Sequence, residues 1–173
     1  MKKLLFIVLF VSTISHAFAQ KKIGLGIHIN QTQQTVAFGI DVTSPIILRS
    51  FHLRLAANQN LFEGAQAVGE KTRIFGFQEM RLGILWRSAF IKDKLNMYSE
   101  AGALVLFNNP KMTDSKTNFG GYGLFGIEVA LVRHTWMYFE MGGIGTGASA
   151  GKLLNNPGFG NGLIFGAGAR FYF

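Results

Sequence analysis

Asp41, Glu79, Glu100, Glu128 and Glu140, with Arg54, Arg81, Arg170, His28 and His52, are the side chains of this sequence best placed for ionic or acid–base chemistry. Most lie between apolar neighbours, and Glu79 and Glu100 have one apolar neighbour each, in segments whose residues alternate in character, so each points away from a greasy face. Charges sequestered in this way persist only when paired and hydrogen-bonded. Two kinds of chemistry follow: the charges neutralise one another as a rigid interior network, or the pairs exchange partners along an ion path. Glu140 and Arg170, on the last two such segments, are expected to be neighbours. Glu79 and Arg81 are expected to reach Glu100. Five acids against three arginines leave a deficit of positive charge. That predicts either a carboxyl that keeps its proton or a further cation, such as Arg73 from the rim.

Other chemistries find little support. There is no cysteine, and His16, His28, His52 and His134 lack ligand spacing, so neither a metal nor a cofactor is expected. Gly142 to Gly147 is glycine-rich, but no helix follows whose N-terminus could hold a phosphate. Those glycines are read as relief of crowding on a tightly curved sheet.

The positioning elements are strands. Leu163, Phe165, Ala167, Ala169, Phe171 and Phe173 form one row, and Ile164, Gly166, Gly168, Arg170 and Tyr172 the other. The same division recurs upstream. Ile23 to Ile29, Val36 to Val42, Phe51 to Leu55, Met80 to Trp86, Leu95 to Phe107, Phe119 to Leu131 and Met137 to Met141 each carry an apolar row opposite glycines and polar groups. Eight strands are predicted. The expected fold is all-β, an eight-stranded antiparallel up-and-down transmembrane β-barrel. A barrel of this size has an interior that side chains fill.

The connections sort by length. Links around Ser44-Pro45, Lys92-Asp93-Lys94 and Arg133-His134 are short. After the brief Gln31–Gln34 turn, the opposite end has long connections at Ala57–Lys71, Asn108–Asn118 and Gly147–Asn161. This is the pattern of tight periplasmic turns and longer extracellular loops. Beyond residue 19 the lysines stand at 21, 22, 71, 92, 94, 111, 116 and 152, all in termini, turns or loops. A lysine in the middle of a lipid-facing wall costs about 2–4 kcal/mol, whereas at the rim it costs little. Arg49 faces outward by parity but lies near a strand end, where it can snorkel.

Residues 1–19 read as a cleaved leader. Lys2 and Lys3 precede an apolar stretch from Leu4 to Ile14, and Ala17-Phe18-Ala19 offers a peptidase site before Gln20. The barrel domain is then 20–173. Losing Lys2 and Lys3 lowers the formal charge from +8 to +6. For an exported chain, acidic lipid head groups are a better counterpart than nucleic acid.

The ending Gly166-Ala167-Gly168-Ala169-Arg170-Phe171-Tyr172-Phe173 resembles the C-terminal assembly signal of bacterial outer-membrane barrels. With the leader and eight strands, residues 20–173 resemble the OmpA/OmpX-type small barrels. That resemblance implies an outer-membrane location, lipid and lipopolysaccharide as surroundings, and recognition of Phe171 and Phe173 by the barrel assembly machinery. It implies no catalytic residue. A lipid A acyl hydrolase barrel is the enzyme alternative. That class carries His-x-Ser-Asn and then Asn-Pro-Gly before the last strand. Here Asn156-Pro157-Gly158 is present, but Gly145-Thr146-Gly147-Ala148-Ser149 has no histidine to activate the serine. A structural or surface-interaction role is favoured, with a narrow gated pore as the other alternative. Phe62, Val68, Leu153 and Leu154 are loop residues expected either to meet a partner or lipopolysaccharide tails, or to pack over the barrel mouth.

Overall fold

The computed structural model describes residues 23–173, apart from residues 49 and 93. The expected leader 1–19, its cut before Gln20 and the placement of Arg49 lie outside the described residues. Eight strands follow in order: β1 (Gly24–Thr32), β2 (Thr35–Thr43), β3 (Phe51–Gly64), β4 (Arg73–Ile91), β5 (Leu95–Phe107), β6 (Thr117–Val132), β7 (Thr135–Gly145) and β8 (Gly162–Tyr172). Each pairs antiparallel with the next, and β1 pairs with β8 to close the barrel. Closure leaves no free sheet edge, which is why such a fold can stand in hydrocarbon.

The alternation decides which face turns inward. Phe38, Ile40, Leu82, Phe125 and Phe139 are exposed on the outer wall, whereas Glu79, Glu128 and Glu140 are buried inside. The inward glycines make room for neighbouring side chains. A Cβ on Gly39 would collide with Asn58 and His28, and one on Gly126 would strike the Tyr98 ring.

The strands are unequal. β1 and β2 have 9 residues each, whereas β4 has 19. β4 and β6 bend at irregularities near Ala89 and Ala130, where each leaves the regular ladder.

Two expected connections are corrected. The stretch Ala57–Lys71 is not a loop throughout: β3 continues to Gly64 and β4 begins at Arg73, leaving only 65–72. Asn58, Asn60 and Phe62 point inward while Gln59 and Leu61 point outward, so both faces there mix polar and apolar residues. That removed the contrast by which strands are recognised. The link after β2 spans 44–50, longer than its Ser44-Pro45 signal suggested, with Leu48 bridged to Phe51.

Candidate functional site

Inside the end of the barrel that carries the tight turns, the eight charged residues meet in one connected network. Arg54 is its hub. Its Nη1 donates to Glu140 at 2.8 Å and Glu100 at 3.0 Å, and its Nη2 donates to Tyr138 at 3.1 Å and Asp41 at 3.3 Å. Arg170 Nε donates to the other Asp41 oxygen at 3.1 Å, and its Nη1 pairs with Glu128. The Tyr138 ring lies under both cations, 4.5 Å from the Arg170 guanidinium carbon and 5.3 Å from that of Arg54. Phenols complete the coordination: Tyr98 donates to Glu140 at 2.8 Å, Tyr122 to Glu100 at 2.6 Å and Tyr138 to Asp41 at 2.9 Å. A second arm reaches Asp41 through His28, whose Nδ1 is 3.3 Å from that carboxylate. Its Nε2 is 2.6 Å from Asn58 Oδ1, and Asn58 in turn donates to Glu79 at 2.7 Å. Arg81 donates to Glu79 at 2.5 Å and lies over the Tyr122 ring.

The pairings differ from those the sequence suggested. Glu140 stands opposite Gly166 and Arg170 opposite Trp136, so these two charges are not ladder neighbours. Each reaches across the lumen instead, Glu140 to Arg54 and Arg170 to Asp41 and Glu128. Arg81 holds Glu79, while Glu100 is taken by Arg54 and Tyr122. In so narrow a barrel, long side chains meet opposite walls more readily than adjacent strands.

The additional cation is Arg87, not Arg73. Arg87 Nε lies 3.1 Å from Glu128, and its Nη2 bonds the Tyr172 hydroxyl. Arg73 is exposed at the far rim. Arg87 continues the inward row of Glu79, Arg81, Gly83 and Leu85, so its parity was readable. The tyrosines were also readable as inward-facing, although their role as donors depends on register. His52 donates to the Ser44 carbonyl at 2.9 Å, outside the network.

The opposite half of the interior is apolar. Phe62, Phe75, Phe77, Leu104, Leu106 and Ile164 form a buried cluster with residues from the loops. The β7–β8 loop, 146–161, folds into the mouth and contributes Ala148, Ala150, Leu153 and Phe159. Phe159 packs edge-on against Phe77 at 5.0 Å between ring centroids. Asn161 ties the two legs of the loop together. Its Oδ1 accepts from Thr146 N and Gly147 N, and its Nδ2 donates to the carbonyls of Ala148 and Phe159. At the loop tip Asn155 and Asn156 take left-handed backbone angles, φ 64° and 44°, which asparagine tolerates well. The loop is tied to its neighbours as well, since Lys152 N donates to Met112 O and Leu154 N to Ala65 O.

Of the loop residues expected to meet a partner or cover the mouth, Phe62 and Leu153 belong to this buried cluster, while Val68 and Leu154 are exposed. Ser149 is exposed at this loop end. His52 and His134 stand beside the turns at the opposite end, too far along the strands to serve it as a base. At the C-terminus Phe171 and Phe173 face outward, 39% and 75% exposed.

No family model matches the chain, and no curated protein sequence matches it. Several solved structures share its shape, among them two small barrels. The N-terminal β-barrel domain of Pseudomonas aeruginosa OprF aligns with a TM-score of 0.60 at 12% identity, covering 89% of this chain and 98% of that one. Ail, the attachment invasion locus protein of Yersinia pestis, crystallised with the heparin analogue sucrose octasulfate, aligns with a TM-score of 0.50 at 11% identity, covering 88% and 97%. Both are small eight-stranded outer-membrane barrels. The chain has the fold of that OmpA/OmpX-type class.

Proposed function

We propose that this chain is a non-enzymatic integral barrel of the outer membrane, with a structural or surface-interaction role and a closed lumen. In this reading the leader 1–19 is removed before Gln20, the tight turns face the periplasm, and the long loops face outward. Phe171 and Phe173 are presented to the barrel assembly machinery, and lipid and lipopolysaccharide surround the apolar wall. The observation that carries it is the two-part filling of the interior: Arg54 and Arg170 are buried in ion pairs below, and Phe159 is wedged among aromatic and aliphatic side chains above. An ion path would have to break both. A hydrolase would need a base beside Ser149, and among the described residues none of the histidines lies near it.

Planar-bilayer recording on the purified barrel tests the closed lumen, with silence expected and steady conductance refuting it. Mass spectrometry of lipid A from producing cells tests the enzyme alternative, where a lost acyl chain would establish a deacylase. Protease treatment of intact cells tests the topology: cutting at Lys71 and Lys111 is expected, and cutting at Lys92 instead would reverse the orientation.

A second reading has one specific observation behind it. The loop end carries Lys71, Arg73, Lys111, Lys116 and Lys152 against Glu63, Glu70 and Asp114. A basic mouth of this kind suits a polyanion, the class of ligand represented by the heparin analogue in the Ail crystal. Retention on heparin that falls with salt, and is lost when Lys111 and Lys116 become alanine, would support it.

A further inference from the structure

The loop end of the barrel is not level. β1 and β2 meet in a turn of two residues, 33–34, while β3 and β4 rise past them to Gly64 and Arg73. The tip of the β7–β8 loop leans across the step, with Leu154 N bonded to Ala65 O. Between the turn, the taller wall and the loop tip lies a cleft of about 750 Å³. That volume is within the range of small-ligand sites.

The lining is chemically selective. Among the residues around the cleft, Glu63 is the one charged side chain, and there is no lysine, arginine or histidine. The remaining polar groups are the amides of Gln31, Gln33, Gln34 and Asn155 and two threonine hydroxyls. Val36, Leu61 and Ile74, on the outward face of the wall, and Leu154 and Pro157 supply apolar surface. A sulfated or phosphorylated ligand would meet a carboxylate and no cation there. An extended peptide would find no free backbone, because β2 is paired to β3 up to Thr35 and β3 to β4 up to Gly64. Side-chain amides offer a donor and an acceptor on one planar head, as a hydroxyl-bearing ring requires. The aliphatic side chains suit that ring's C–H faces.

We propose that this cleft binds a neutral, hydroxyl-rich oligosaccharide. The amides of Gln33, Gln34 and Asn155 and the Glu63 carboxylate read the hydroxyls, while Leu61 and Ile74 lie against the ring faces. The inference rests on the reading of the loop end as the outer surface. It adds a site distinct in charge from the basic loops. The sugar could belong to a glycolipid of the same membrane or arrive as a free glycan.

The test uses the full barrel in nanodiscs, titrated with three probes. These are a neutral core oligosaccharide made only of the outer hexoses of lipopolysaccharide, without phosphate or acidic sugars, intact lipopolysaccharide built into the disc, and a heparin fragment. Saturation-transfer NMR and calorimetry read the binding. Saturable binding of the core oligosaccharide in solution identifies a free-glycan site, whereas binding only of the disc-embedded form identifies a glycolipid site. In either case the double variant Q33A/Q34A and the single variant E63A are expected to weaken binding roughly tenfold, the equivalent of about one good hydrogen bond. E63Q, which keeps an acceptor, is expected to stay close to wild type in saccharide binding, and heparin retention is expected to be unmoved by Q33A/Q34A, which changes no charge. Failure of both saccharide probes to saturate, or equal binding by Q33A/Q34A, overturns the inference. Bilayer silence and cell-surface cleavage at Lys71 would then still stand, so the proposed function could survive the loss of this site.

Discussion

The two halves of the barrel interior are filled by opposite means. The turn end is built from strand residues alone, with charges that reach across the lumen to one another. The loop end is filled from above, by a segment that leaves the sheet and folds back into it. Long ionic side chains can span a narrow barrel without help, whereas the shorter apolar ones at the mouth leave a gap that a loop must close. Ionic filling gives fixed geometry with little net stabilisation, because pairing mainly offsets the cost of desolvation. Apolar filling gives its stability directly through contact and exclusion of water.

The sharpest way to break this contrast is at the ionic hub. Arg54→Ala leaves Asp41, Glu100 and Glu140 short of their shared partner. A loss of about 3–5 kcal/mol is expected, read from urea titration and heat-dependent gel migration in micelles. Retention of wild-type stability would mean that the network is wet and dispensable. At the other end Phe159→Ala is expected to cost about 3 kcal/mol, toward the low end for a buried phenylalanine because the loop can partly collapse into the space. Its second readout is proteolysis: the 148–159 segment should become a cutting site, whereas the wild-type chain is cut first around 65–72 and 111–116. Tyr138→Phe removes the phenol donated to Asp41 while leaving both arginines in place. A loss of about 2 kcal/mol is expected for a bond to a charged group, checked by the same titration. The smallest effect should come from Asp114→Ala, which frees Lys152 from an exposed pair with Asp114 91% accessible. Under about 1 kcal/mol is expected, vanishing with added salt.

The same contrast explains what could be read in advance. The outer wall was legible because Phe38, Ile40 and Val42 alternate with Ala37, Gly39 and Asp41, an apolar row against a small or charged one. The ionic residues were legible as a set, since each stood in an inward row. Their partners were not, because a register difference of a few residues moved Arg170 away from Glu140. The apolar half left almost no trace. At Phe75, Phe77, Leu104, Leu106 and Ile144 the inward row is as greasy as the outward one, so hydropathy carries no contrast. Phe159 and Leu153 sit in a segment rich in glycine and asparagine, whose composition advertises a solvent loop. Only the closed cylinder, with its empty upper volume, gives those two side chains somewhere to go.

The inequality of the strands has a mechanical consequence. β7, β8, β1 and β2 surround the closing seam and are the shortest in the wall, whereas β4, with 19 residues, stands across from them at about twice the length of β1. In the proposed membrane setting, the seam side therefore presents a lower wall than the side opposite. Either the bilayer pinches there or the whole cylinder leans, at a fraction of a kcal/mol for each ångström of mismatch. In that setting the join between first and last strand lies on the low side of the cylinder.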